Sequence, residues 1–170
     1  MQFNAVLFDM DGTLADTALD LGQALNNLLA KYNRPPYPLE DLRPYASHGS
    51  PAFVRMAFGE DLSQEEFQAK RQEYLAEYDL CFDQHSVLFS QIDGMLKLLV
   101  QSQMQWGIIT NKPQAFTDKL VPKLGFTHPP AVVVSGDTTG EAKPSTKPMF
   151  YACEQIGVNP EQCIFVVDAE

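Results

Sequence analysis

The sequence AVLFDMDGT, residues 5–13, decides the fold of this chain. Its first four residues form a short, uninterrupted apolar run that ends at Asp9. A run of this length without alternation is typical of a strand buried on both faces, as in a parallel sheet. The residues that follow it therefore lie at the carboxyl end of the strand, where open α/β sheets bind their ligands.

Three similar apolar runs follow later in the chain: Trp106 to Ile109, Ala131 to Val134 and Cys163 to Val167. Apolar residues at helical spacing precede or separate them, and Gly125 and Gly157 come just after two of these helical segments. Pro122 should break one helix, because proline lacks a backbone donor and clashes with the preceding turn. Strands that alternate with helices predict a doubly wound α/β fold with a mostly parallel, Rossmann-like sheet.

Residues 16–90 break the alternation, and we expect them to form a small inserted helical domain. Asp16 can cap a helix whose leucines share one face. Ser63 and Glu66 form a capping box ahead of a second helix. No strand pattern is evident in this segment. The predicted organisation is an α/β core from residues 1–15 and 91–170, with a helical cap at 16–90.

The composition limits the classes of partner. The 170 residues carry a formal net charge of −10, which repels nucleic acid and anionic membranes, so neither is an expected partner. A phosphate site must therefore gather its own positive charge, from lysine, a metal or helix N-termini. The three scattered cysteines indicate free thiols in a reducing compartment, and no apolar run approaches the length of a membrane span. We expect a cytoplasmic protein, with no oligomeric state predicted.

Asp9 and Asp11 stand two residues apart on a turn eased by Gly12, so both carboxylates can face one site. One can attack phosphorus and form an aspartyl-phosphate. The other can protonate the leaving oxygen and then activate water. The structural alternative is an ordinary Asp-Gly turn. The complete Asp-x-Asp-Gly-Thr pattern after a buried strand favours the catalytic interpretation.

Four further polar residues follow the later strands. Thr110 and Asn111 come directly after the second strand and could donate to a phosphate oxygen beside a helix start. Lys143 follows a loop rich in Gly and Thr and could neutralise a phosphate and the Asp9 carboxylate. Asp168 comes at the end of the fourth strand and is a reasonable Mg²⁺ ligand. Each alone could be a loop, cap or surface residue. The argument for a site is their common position, at or just after the carboxyl end of a predicted strand or in a loop on that side.

At this point the sequence resembles the haloacid dehalogenase superfamily of phosphatases, over essentially the whole chain. The segment from Phe8 to Leu14 resembles the first motif of that superfamily. Thr110 resembles the second motif, Lys143 the third and Asp168 the first acid of the fourth. The resemblance implies Mg²⁺-dependent hydrolysis of a small-molecule phosphate ester through an aspartyl-phosphate.

The resemblance also implies individual roles. Asp9 would be the nucleophile and a metal ligand. Asp11 would be the general acid and base, with its backbone carbonyl on Mg²⁺. Thr110 and Lys143 would hold the phosphate, and Asp168 would complete the metal site.

Residues 16–90 resemble the cap that closes over the substrate in that superfamily. His48 and Gly49 would lie near the organic part of the substrate, although His48 could also be a loop histidine with no partner in the site. The stretches 106–113 and 134–138 resemble bacterial phosphoglycolate phosphatases. An N-acetylmuramic acid 6-phosphate phosphatase belongs to the same subgroup, and the sequence does not separate these two substrates.

The sequence departs from the family pattern in two places. Val167 stands where the family usually has glycine, and a β-branched side chain could crowd the site. The family pattern continues beyond Asp168 to a second acid and a last strand and helices, which the 170 residues do not include. We therefore expect the C-terminal part of the core to be missing, with weak Mg²⁺ binding, poor turnover and a tendency to aggregate.

Three other interpretations use the same residues. A phosphosugar mutase of the same superfamily would differ only in where the phosphoryl group ends. A phospho-accepting receiver module of signalling proteins also uses acidic residues, a threonine and a lysine on a doubly wound sheet. Such a module needs no helical insert after its first strand, and its accepting aspartate lies elsewhere. A catalytically inactive remnant is the remaining alternative.

Overall fold

The computed structural model describes residues 3–168. The chain divides into two compact units. The first unit comprises the chain up to Ala15 together with the chain from Leu88 onward, and the second comprises Asp16–Val87. The second unit is inserted between the first two long strands of the first.

In chain order, the strands are β1 (Ala5–Phe8), β2 (Ala15–Asp16), β3 (Val87–Leu88), β4 (Gln105–Ile109), β5 (Val132–Val134) and β6 (Cys163–Val166). The α-helices are α1 (Ala18–Lys31), α2 (Leu39–Leu42), α3 (Gly49–Phe58), α4 (Gln64–Asp79), α5 (Ile92–Gln101), α6 (Gln114–Leu120) and α7 (Lys147–Ile156). Short 3-10 helices occupy Arg43–His48, Val121–Lys123 and Pro160–Gln162.

The first unit contains a four-stranded parallel sheet in the order β5-β4-β1-β6. The chain runs outward from β1 to β4 and β5 and then returns to the other side of β1 for β6. This reversal at β1 is the topological switch point of a doubly wound sheet, where ligands bind beyond the strand ends. The predicted α/β class is confirmed, and the apolar runs read from the sequence are its four strands.

The register aligns the ends of the strands. Phe8 pairs with Ile108 of β4 and with Val166 of β6, and the next residue, Asp9, donates its backbone N–H to the Val166 carbonyl over 2.9 Å. Strand β1 is apolar throughout and all four of its residues are buried, as expected of a strand covered on both faces. Helix α7 contributes Ala152 and Cys153 to the core that covers Leu7, Ile109 and Val134.

The helix ends of the first unit agree with the sequence signals. Helix α6 ends at Leu120 and gives way to a 3-10 turn that contains Pro122. Helix α7 ends at Ile156 and is capped by Gly157, whose φ of 67° is the left-handed conformation that glycine adopts without steric cost.

The second unit is a group of helices. The capping box of Ser63 and Glu66 is confirmed, with both reciprocal hydrogen bonds formed at the start of α4. The prediction that Asp16 caps α1 is confirmed in part. The N-cap position is Thr17, which makes no side-chain cap hydrogen bond, whereas the Asp16 carboxylate accepts the N–H of Ala18, the first residue of α1, over 3.4 Å and pairs with Arg43 over 2.8 Å. Tyr74 of α4 is fully buried and donates its hydroxyl to the Leu21 carbonyl of α1 over 3.0 Å.

Two short strands have no counterpart in the sequence prediction. Strands β2 and β3 pair with each other as a separate sheet where the chain passes between the units. Each is two residues long, which is too short for an alternating pattern to show in the sequence. Throughout residues 3–168, the helices are all too short or too polar to cross a membrane.

Candidate active site

Asp9 and Asp11 lie in a tight turn that follows β1. The backbone carbonyl of Met10 accepts hydrogen bonds from the N–H groups of Leu14 and Ala15, both over 3.0 Å. Gly12 has φ 82°, a conformation that costs most other residues steric strain. The turn buries both carboxyl residues at the carboxyl end of β1, with 5% of Asp9 and 7% of Asp11 exposed.

The Asp9 carboxylate forms a buried ion pair with Lys143. The two side chains approach to 2.6 Å, and both are largely withdrawn from water. Burial raises the pKa of the Asp9 carboxyl above its ordinary value, because the charged form loses hydration, while the Lys143 ammonium opposes this shift. The Lys143 ammonium group therefore lies beside the Asp9 carboxylate, which the sequence pattern predicts to be the nucleophile.

Asp11 forms a second buried ion pair, with Lys112 at 3.2 Å. The sequence pattern does not single out Lys112, because exposed loops are the usual location of lysine. In the folded chain only 7% of Lys112 is exposed. Its place directly after Thr110 and Asn111, at the end of β4, is the signal that could have identified it.

Asn111 fixes the position of Lys143. Its side-chain amide donates to the Lys143 carbonyl over 3.0 Å, and its side-chain oxygen accepts from the Lys143 backbone N–H over 2.8 Å. Thr110 is 3% exposed, and its hydroxyl oxygen accepts from the Lys112 N–H over 3.2 Å. A hydroxyl that accepts one bond keeps its own proton for donation, so Thr110 can still bind a phosphate oxygen.

The loop after β5 packs directly on this segment. Gly136 donates its N–H to the Lys112 carbonyl over 2.9 Å. Asp137 accepts the N–H of Gln114 over 2.9 Å at the start of α6. The sequence predicts that a phosphate binds beside the start of α6. In the structure the Asp137 carboxylate already accepts a hydrogen bond from that helix start.

Asp168 is joined to the first turn through Thr13. The Thr13 hydroxyl donates to the Asp168 carboxylate over 2.9 Å and accepts the Asp168 N–H over 3.1 Å. Val167, expected from its β-branched side chain to crowd the site, is 41% exposed. The structure thus brings Asp9, Asp11, Thr110, Asn111, Lys143 and Asp168 to the carboxyl ends of neighbouring strands.

His48 and Gly49 belong to the second unit. His48 is exposed at the end of a 3-10 helix, and Gly49 has φ 64° where α3 begins. Their relation to a substrate stays a prediction.

The donor atoms of the site fit magnesium. Within residues 3–168 there is no cluster of three or more His, Cys, Asp or Glu side chains suited to a metal ion. The ligand set implied by the family resemblance is smaller: carboxylate oxygens of Asp9 and Asp168, and the backbone carbonyl of Asp11. Magnesium usually takes one or two carboxylates, with waters and substrate phosphate as its other ligands. Because all these donors are hard oxygen atoms, the set suits Mg²⁺ better than a soft metal.

The chain is similar in sequence and in structure to several phosphatases. A phosphoglycolate phosphatase of Xanthomonas campestris pv. campestris is 39% identical over 166 residues, which is 98% of this chain and 75% of that protein. An N-acetylmuramic acid 6-phosphate phosphatase of Pseudomonas aeruginosa is 36% identical over 171 residues, 99% of this chain and 74% of that protein. The crystal structure of a predicted phosphoglycolate phosphatase from Haemophilus somnus superimposes with a TM-score of 0.82 at 26% identity, covering 99% of this chain and 78% of that one.

The fold, the strand-end carboxylates and these relatives define a phosphoric monoester hydrolase. The model of haloacid dehalogenase-like hydrolases matches residues 6–170, and the chain belongs to that family.

Proposed function

We propose that this chain hydrolyses small phosphate monoesters with Mg²⁺, in the manner of a phosphoglycolate phosphatase, with Asp9 as nucleophile. The observation that carries the proposal is the pair of buried ion pairs at the end of β1, Asp9 with Lys143 and Asp11 with Lys112. Each potential catalytic carboxylate has its own fixed cation. The two ammonium groups offset the charge of the two carboxylates, so these groups add little to the repulsion that a net charge of −10 imposes on an anionic substrate.

In the first step, a carboxylate oxygen of Asp9 attacks phosphorus. The bond between phosphorus and the ester oxygen breaks, and the protonated Asp11 carboxyl gives its proton to the leaving oxygen. The products are the free alcohol, an aspartyl-phosphate at Asp9 and an Asp11 carboxylate.

In the second step, Asp11 takes a proton from water as the water oxygen attacks phosphorus. The bond between phosphorus and Asp9 breaks, which releases inorganic phosphate and restores both carboxyl groups to their starting states. Asp11 serves as acid and then as base, so one residue accounts for both proton transfers.

Lys143 and Thr110 would hold the phosphate. Lys143 supplies an ammonium group beside Asp9, and Thr110 supplies a hydroxyl proton. Asn111 acts on this group indirectly, because its side chain holds the backbone of Lys143. Magnesium bound by Asp9, Asp168 and the Asp11 carbonyl would offset negative charge on the phosphate oxygens.

The names of the two relatives suggest which phosphate esters to test as substrates. In both phosphoglycolate and N-acetylmuramic acid 6-phosphate, the phosphate is esterified to a hydroxyl group, and the molecule carries a separate free carboxylate. We place discrimination between such substrates in residues 16–87, as the resemblance to a cap implies.

The test is turnover of the purified chain with Mg²⁺ on three esters: 2-phosphoglycolate, N-acetylmuramic acid 6-phosphate and glycerol phosphate, which lacks the carboxylate. We expect phosphate release that depends on Mg²⁺ and prefers one of the two acids. Asp9→Asn keeps the side-chain shape and is the matched inactive control. Release that survives this substitution within about tenfold would contradict the proposed mechanism.

A further inference from the structure

We propose that Lys112 is a positioning residue of the site, which holds the Asp11 carboxyl in place for proton transfer and contributes to the charge that receives the phosphate. The inference rests on the proposed function. It goes beyond that function because the family resemblance and the motifs read from the sequence gave Lys112 no role.

Lys112 is far more buried than a surface lysine. The side chain of Lys112 is only 4% exposed, whereas the side chain of Lys147, on the surface, is 54% exposed. Burial of an ammonium group costs several kcal/mol unless a partner compensates. Asp11 is such a partner, with 3.2 Å between Lys112 Nζ and Asp11 Oδ1 and 9% of the Asp11 side chain exposed. Lys112 is therefore not a surface lysine, because its side chain is buried against Asp11, the proposed proton donor.

The backbone of Lys112 is held by two hydrogen bonds. The Lys112 N–H donates to the Thr110 hydroxyl oxygen, and the Lys112 carbonyl accepts from Gly136 over 2.9 Å. The backbone of Lys112 is thus fixed from both sides, by its own loop and by the loop after β5. A proton donor must lie within hydrogen-bond reach of the leaving oxygen. A lysine anchored in this way can keep the Asp11 carboxyl in one orientation.

Lys112 also changes the formal charge of the site. With Asp11 protonated, as the first step requires, the carboxylates of Asp9 and Asp168 and the ammonium groups of Lys112 and Lys143 sum to a formal charge of 0. Without Lys112 the same set would carry −1. Since the substrate is an anion, this difference opposes its binding, most strongly beside the buried groups. Lys112 therefore acts on binding as well as on orientation.

A double-mutant cycle tests the proposal. Lys112→Met should lower kcat on glycerol phosphate or 2-phosphoglycolate by about 10- to 100-fold, the usual effect of removing a supporting contact. The loss on p-nitrophenyl phosphate should be smaller, because its leaving group needs less help from a proton. In an Asp11→Asn background, Lys112→Met should lower kcat by less than about threefold further, because residues that act as a unit are not additive.

Matched controls separate this role from general stability. Lys112→Arg keeps the charge and should recover part of the kcat lost in Lys112→Met. Lys147→Met removes an exposed lysine and should leave kcat and Tm unchanged. Equal losses on all esters, or a full loss retained in the Asp11→Asn background, would overturn the proposal.

The two proposals fail in different ways. If the parent protein releases phosphate but Asp11→Asn affects all esters equally, the proposed role of Asp11 fails. If Asp11→Asn behaves as expected but Lys112→Met does not depend on Asp11, only the role of Lys112 fails. A crystal structure of Lys112→Met provides a readout without turnover: Asp11 should turn from its present position, and an unchanged Asp11 carboxyl would overturn the inference.

Discussion

Gly136→Ala tests the contact between the loop after β5 and the loop after β4. A Cβ at position 136 would lie 2.4 Å from the Asn111 backbone oxygen and 2.8 Å from the Asn111 carbonyl carbon. A Cβ in a folded protein essentially never comes within 3.0 Å of such an atom, so the two loops must separate by at least 0.6 Å, the difference between 3.0 and 2.4 Å. Because both nearest atoms belong to the backbone, no side-chain rotation relieves the contact.

The separation should impair both activity and stability. Thr110, Asn111 and Lys112 are on the displaced loop, and a misplacement near 1 Å can cost about 100-fold in rate. We expect kcat to fall by about 10- to 100-fold. Overpacking of this kind costs roughly 1–3 kcal/mol, which lowers Tm by roughly 2–12 °C for a chain of this size.

The assay is Mg²⁺-dependent hydrolysis of p-nitrophenyl phosphate, with Tm measured by circular dichroism. Gly94→Ala is the matched control, because a Cβ at this position in α5 meets no atom within 4 Å. It should leave kcat unchanged and raise stability by up to about 1 kcal/mol, since alanine favours helix. A Gly136→Ala protein with parental kcat and Tm would refute the proposed coupling between these loops.

Three further predictions concern individual side chains. Asp11→Asn should lower turnover of 2-phosphoglycolate more than that of p-nitrophenyl phosphate, because a poor leaving oxygen needs the proton; equal losses would count against a general acid. His48→Ala should change the ratio of rates between substrates more than it changes p-nitrophenyl phosphate turnover, and a uniform loss would instead place His48 in the chemistry or the fold. Burial raises the pKa of the Asp9 carboxyl in the folded protein. In metal-free protein the protonated carboxyl therefore stabilises the folded state at low pH, and this contribution to the free energy of unfolding is lost as pH rises through the raised pKa. Tm measured against pH should therefore fall more steeply for the parent than for Asp9→Asn over that interval, and parallel curves would contradict the shift.

The strands could be predicted because each is a short continuous apolar run, and β1 carries its carboxylates at the end that a parallel sheet uses for ligands. Asp9, Asp11 and Asp168 are predictable from this position along the chain, and Lys143 from a loop on the same side of the sheet. The position of these residues relative to the strands follows from the order of the sequence alone, without any side-chain contact.

Other features depend on contacts between distant segments. The place of Lys112 after Thr110 and Asn111 points to the site, but the burial of its side chain cannot be predicted from local sequence, because its backbone is fixed partly by Gly136 from another loop. Asn111 is predicted to donate to a phosphate, and its side chain also binds the backbone of Lys143, a contact with a distant segment that local sequence does not show. Asp137 caps α6 from outside that helix, so the occupied helix start could not be read from local sequence.

The central claim is that Asp9 takes the phosphoryl group. The most direct test is to mix the chain with Mg²⁺ and substrate, quench during turnover and reduce with borohydride, which converts an aspartyl-phosphate to homoserine. Mass spectrometry of the peptide that contains Asp9 should then show homoserine at position 9, and only when substrate is present. Turnover with unmodified Asp9 in every quenched sample, under conditions that trap a reference acyl phosphate, would contradict the mechanism.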